Sequence, residues 1–144
     1  MSKKDVLERK DVEDIVSRFY AAMLGDPIIG YIFTDVVKID LEHHLPIIVD
    51  FWADALFSEN RYVGNPLRKH LDLHERIPLT PGHFTRWLYL FARAVDERHN
   101  GENAQAMKHR AEMVAKSISA SITARKRGDM ELVLPREGAP EPDV

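Results

Sequence analysis

Four stretches of this chain place apolar residues every three or four positions. Proline, glycine or capping signals bound each one, so the backbone is committed to helices joined by short connections. In the first, Val12, Ile15, Val16, Phe19, Tyr20, Met23 and Leu24 form one stripe; Asp11 with Asp14 reads as its cap, and Gly25-Asp26-Pro27 stops it. The second, over about 40–57, carries Leu41, His44, Leu45, Ile48, Phe51, Trp52, Ala55 and Leu56 on one face. Pro46 either starts its regular part or kinks it, because proline loses a backbone bond and crowds the preceding turn. Thr80-Pro81 opens the third, with Phe84, Trp87, Leu88, Phe91, Ala92 and Val95 inward up to Asn100-Gly101. The last, from about 102 to 125, rests on Met107, Ala111, Val114, Ile118 and Ile122.

A shorter segment after Asn65-Pro66 sets Leu67, His70 and Leu71 on one face, and residues 73–79 read as irregular. Residues 27–33 are too apolar to stay exposed and could form one further helical turn or two. Beyond Gly128, three prolines among alternating charges read as a flexible tail, and residues 131–134 are the longest strand-like alternation in the chain. The expected class is therefore all-α, with a leader over residues 1–10, one helical domain over 11–126 and a tail over 127–144.

Composition narrows the function. The 144 residues fit one domain, and 44% apolar with 30% charged is enough for a real core. A formal charge of −3 offers no clustered excess of Lys and Arg for a phosphate backbone, so nucleic acid is not an expected partner. No apolar run approaches the roughly 20 residues that span a bilayer, and the charged first ten residues lack a signal-peptide core; the expected location is the cytoplasm. With no cysteine, disulfides, thiolate metal ligands and thiol nucleophiles are excluded. No glycine-rich phosphate loop, HExxH or GxSxG occurs, and the carboxylates read as solvated helix faces.

The seven histidines remain. His43, His74, His83, His99 and His109 fall in loops or off the apolar stripes and read as surface residues. His44 and His70 lie on apolar faces, where an imidazole must find a hydrogen bond or a metal to offset burial. By themselves both read first as satisfied core histidines and only second as ligands. His70 and His74, four apart, could clamp a non-haem metal if their helix is continuous. Phe19, Tyr20, Phe33, Ile48, Phe51, Trp52, Phe84, Trp87 and Phe91 exceed what a small bundle needs, and could wall a flat apolar ligand or simply be the core of a cofactor-free interaction module.

In order along the chain, Phe19-Tyr20, Ile32-Phe33, His44 eight residues before Trp52, residues 64–73 (Gly-Asn-Pro-Leu-Arg-Lys-His-Leu-Asp-Leu), residues 87–91 (Trp-Leu-Tyr-Leu-Phe) and residues 110–113 (Arg-Ala-Glu-Met) resemble the truncated haemoglobins, in particular the group III branch. The resemblance implies a truncated globin fold around haem b, with His70 as the proximal iron ligand and Leu67 and Leu71 packing beside it. It implies a distal set of Tyr20, His44 and Trp87, with Phe33 wedged against the macrocycle and Ile48 closing the pocket. Arg68, Lys69 and Tyr62 are the candidate propionate partners.

Such donors stabilise the negative charge that a diatomic ligand such as O2 acquires. At about 1.5–3 kcal/mol per hydrogen bond, two would slow escape by roughly two powers of ten or more. The implied role is oxygen or nitric oxide chemistry, or ligand sensing, rather than O2 transport. Nitric oxide dioxygenase or peroxidase-like turnover would need an unidentified reductase. A monomer is expected.

Overall fold

A computed structural model describes residues 3–36, 38 and 40–127, with the backbone alone for 66–68 and 125–127. The tail expected over 127–144, including the strand-like 131–134, lies outside the described residues apart from Arg127. Five α-helices form the fold: α1 (Arg9–Leu24), α2 (Leu41–Phe57), α3 (Pro66–Arg76), α4 (Pro81–Asp96) and α5 (Glu102–Arg127). No β-strand occurs among the described residues, and no helix there is long and apolar enough to cross a membrane. The all-α expectation therefore holds.

The helices form two crossed layers. The first layer is α1 on α2 and the second is α4 on α5; α1 also packs on α4, and α5 on both α2 and α3. The stripes read from the sequence meet in one core, where Ile15, Phe19, Met23, Trp52, Phe91, Val95 and Met107 are buried together. Aromatic rings knit it: Phe19 stands edge-on to both Trp87 (5.8 Å) and Phe91 (5.3 Å), and Trp52 stacks on Phe91 at 4.9 Å. Pro46 lies within α2, which continues through it.

Several local expectations are corrected. The cap of α1 is Glu8 in place of Asp11: Asp11 sits at the third helical position, and its carboxylate accepts from Leu7 and Glu8 N–H. The segment before α1 is no detached leader, because Val6 is fully buried. Asp5 Oδ1 and Oδ2 accept from Ala104 N–H (2.9 Å) and Asn103 N–H (3.0 Å), capping the start of α5 from the far end of the chain. Burial pushes the Asp5 carboxyl up, but these N–H groups and that of Val6 outweigh it and hold it below the usual carboxylate range. Gly101 makes the contact possible, since with φ at +148° any Cβ there would strike the Asp5 side chain.

His99, expected at the surface, is only 4% exposed. It follows α4 by three residues, and the strand-like contact between Lys4 and His99 brings the N-terminal segment across it. Its burial comes from residues 95 positions away, which no local pattern reports. Finally, α3 runs to Arg76, four residues into the stretch expected to be irregular.

Candidate functional site

Both α2 and α3 pack on α5, but they do not pack extensively on each other, which leaves a slot between them. On its α3 side, an apolar cavity of about 40 Å³ is lined by His70, Leu73, Phe84, Trp87, Ile32, Phe33 and Ile118. Toward α2 lies a wider, solvent-open space of about 710 Å³, walled by Phe51, Trp52, Met107 and Met113. The two share Val114 and Ile118 on α5. The two cavities thus flank the same stretch of α5, one beside His70 and the other at the aromatic face of α2.

On the α1–α2 side the polar groups are few and deeply set. His44 is 2% exposed and Tyr20 3%. His44 Nε2 and Tyr20 Oη lie 2.8 Å apart, with the two rings edge to face. His44 thus points inward from α2, toward Tyr20 on α1. Burying an imidazole and a phenol in an apolar core costs free energy unless each finds a partner, and these two satisfy one another. Their tautomers decide the chemistry. If His44 Nε2–H donates to Tyr20 Oη, the phenolic hydrogen is left to donate elsewhere; in the opposite tautomer Tyr20 donates to His44. Trp87, half-buried on α4, joins the same group through Phe19, whose ring also stands edge-on to Tyr20 at 5.2 Å.

Phe33 reaches the cavity through an element that periodicity does not encode. Ile32–Val36 is a single π-helical turn, with more residues to the turn than an α-helix, and Ile32 and Phe33 in it are both buried. Gly30 precedes it where a Cβ would lie 2.6 Å from the Leu24 carbonyl oxygen, so the chain can fold back onto the end of α1 only without a side chain there. Asp26 latches this segment to α4. Its side chain is 2% exposed; Oδ1 accepts from Ile28 and Ile29 N–H, and Oδ2 takes both Arg86 Nε (2.8 Å) and Nη2 (2.6 Å). The Arg86 guanidinium, helped by the two backbone N–H groups, outweighs desolvation and holds the Asp26 carboxyl below its ordinary range. Arg86 is next to Trp87, so the latch sets Phe33 and Trp87 relative to each other.

The remaining sequence-derived residues fall as follows. Ile48 is half-buried against the core. Leu71, 1% exposed, packs on Ile118 and Ile122 rather than beside His70, where Leu73 stands instead. Tyr62 packs edge-on to Phe51 at 5.3 Å, and its backbone N–H is held by Asp54. Lys69 is half-buried; the side chains of Leu67 and Arg68 lie outside the described residues. Since α3 is continuous, His70 and His74 stand one turn apart, but no group of three or more potential metal ligands occurs among the described residues. The sequence reading missed the Asp26–Arg86 latch, whose partners are 60 positions apart. Thr80 caps α4 as its Thr-Pro signal indicates, but the reading missed the reciprocal bond, in which His83 fills the place that glutamate takes in the Thr-x-x-Glu pattern.

Two helical layers, aromatic-walled cavities along α5 with one imidazole from α3, and a phenol–imidazole pair buried between α1 and α2 that lines neither cavity make up the architecture of a small globin. The bacterial-like globin family matches residues 6–120. The chain is 31% identical over 116 residues to the group 3 truncated haemoglobin of Campylobacter jejuni, covering 78% of this chain and 89% of that protein. Its fold is similar to the crystal structure of the group III truncated haemoglobin from the same organism, with a TM-score of 0.74 at 28% identity, over 83% of this chain and 94% of the other. The chain belongs to the truncated haemoglobins, group III, within the bacterial-like globin family.

Proposed function

We propose that this truncated globin binds haem b through His70 and uses Tyr20, His44 and Trp87 to hold a diatomic ligand, serving oxygen or nitric oxide chemistry or ligand sensing rather than O2 delivery. The donor set suits the group: one imidazole in an apolar slot is the protein ligand that globin haem takes, and aromatic walls suit a flat macrocycle. When bound, haem supplies an iron centre that accepts O2 or NO on the face opposite its histidine.

The buried Tyr20–His44 pair carries the reading. In the tautomer where His44 donates to Tyr20, the phenolic hydrogen is aimed by its neighbour and needs little reorganisation to meet a ligand that gains negative charge. Apolar neighbours exclude water, which strengthens that hydrogen bond relative to one made in solvent. Phe33 and Ile48 would bound the macrocycle, and Lys69 and Tyr62 remain the candidate propionate partners on half-buried positions at its edge. Any turnover would draw electrons from a separate reductase, and the protein would act as a monomer.

The test is optical titration of purified protein with haemin. A Soret band developing to one equivalent in wild type and lost or strongly altered in His70→Ala is expected. No band in wild type, or an unchanged spectrum in the variant, would overturn the assignment and leave a cofactor-free helical module.

A further inference from the structure

His74 and His83, read from the sequence as surface residues, receive successive backbone N–H groups of the α3–α4 connector. Leu79 N–H donates to His74 Nδ1 at 2.8 Å, and Thr80 N–H donates to His83 Nδ1 at 3.1 Å. An accepting Nδ1 carries no hydrogen, so both rings have it on Nε2. His83 returns the favour that Thr80 Oγ1 does its own N–H, and together they close the first turn of α4. His74 does something less ordinary: from the last turn of α3 it captures an amide five residues on, beyond the helix.

The connector needs such a tie. Among the helices, α3 packs appreciably on α5 alone, and it is the shortest of the five. Leu79, whose amide His74 holds, packs between the main core and the Leu71–Ile118–Ile122 cluster, and lines the cavity with His70. Arg76, two residues beyond His74, donates to the Val36 carbonyl at 2.6 Å, tying the same end of α3 to the turn that bears Phe33. Polar contacts from His74 and Arg76 thus help to set the stance of α3 at its C-terminal end, and the one from His74 reaches a residue that shares the cavity with His70.

We propose that His74 is a positioning residue for His70: by clamping Leu79 N–H through Nδ1 it fixes the end of α3, and with it the direction in which His70 presents its imidazole to iron. This rests on the haem reading above. Outer-shell groups that orient a ligating histidine tune the metal without touching it.

The test compares His74→Asn, which puts an amide oxygen about where Nδ1 stands, with His74→Leu, which removes the acceptor, and His74→Gln, which keeps polarity but moves the oxygen one bond outward. The readouts are the iron–histidine stretching band of the ferrous ligand-free holoprotein and hydrogen exchange at the Leu79 amide. We expect His74→Leu and His74→Gln to shift the band and to speed Leu79 exchange roughly tenfold, the loss of one hydrogen bond of ordinary strength, with His74→Asn close to wild type in both. If His74→Leu does not fold, the Gln and Asn pair decides. A wild-type band that neither His74→Leu nor His74→Gln moves, or a Leu79 amide that exchanges at the wild-type rate in both, overturns this inference alone. Absence of any iron–histidine band in wild type overturns the haem reading and this inference with it.

Discussion

His44 and His70 sit on neighbouring helices, and the fold treats them in opposite ways. His44 is sealed in the core against Tyr20, on a helix packed on both α1 and α5 and clamped to α1 by Arg9, which bridges Asp50 and Glu59. His70 is half-buried at a cavity, on an eleven-residue helix that packs on α5. The surroundings of His44 are closed by packing and hydrogen bonding within the protein. Beside His70 there is room for a ligand, and whatever binds only the native state adds its binding free energy to the fold there.

The sharpest way to break this contrast is to remove haem, or His70. At a haem concentration a hundredfold above its dissociation constant, holoprotein should gain about 2.7 kcal/mol over apoprotein, on the order of 10 °C in Tm, and His70→Ala should lose most of it. Calorimetry of both forms measures this. Hydrogen exchange should place the largest gain in protection in α3 rather than α1; uniform protection would erase the contrast.

On the distal side, Tyr20→Phe should raise the O2 dissociation rate by one to two powers of ten, the value of one hydrogen bond to a charged group. Stopped-flow release reports it. His44→Leu should matter less in the Tyr20→Phe background than in wild type if His44 acts by orienting Tyr20, and a double-mutant cycle gives that coupling directly.

Asp26→Asn should cost about 2 kcal/mol in urea unfolding, because a nearly buried carboxylate loses charge-assisted bonds while keeping its place. Its folded-state carboxyl is held below the ordinary value, so its contribution is complete above the unfolded carboxylate value and disappears as pH falls through the lower folded one. The variant should therefore lose less stability than wild type on acidification below about pH 4. Equal acid sensitivity would show the latch to be inert.

The smallest effect should run the other way. Neither ring nitrogen of buried His99 has a protein hydrogen-bond partner, and Asp14 Oδ2, at 3.9 Å from Nε2, is too far to serve. His99→Leu should therefore gain about 1 kcal/mol, with O2 release unchanged because His99 lies outside the slot.

What could be read from the chain divides along the same line. Stripes at helical spacing reported α1, α2, α4 and α5, since each buries one face in a shared core. The extent of α3 was hidden by Asp72, His74 and Glu75, whose polarity imitates a loop although the backbone stays helical to Arg76. Tyr20, His70 and Trp87 were legible as polar groups on apolar stripes; the orientation of His44 was not, because it depends on a partner 24 residues away. His99, Asp26 with Arg86, and Asp5 with the start of α5 all owe their roles to contacts between segments distant in sequence, to which no local period responds.

The π-helical turn makes one stretch of the chain intolerant in a way unrelated to side-chain chemistry. Ile32 and Phe33 line the cavity from a turn that holds one residue more than an α-turn would. Deleting Thr34, itself exposed, would tighten that turn to ordinary α-helical geometry and pull Ile32 and Phe33 out of their present place against the cavity. The segment acts as a ruler: it accepts exchanges of residues along its outer edge but not a change in their number, and a one-residue deletion there should damage the pocket more than most substitutions of the residues that line it.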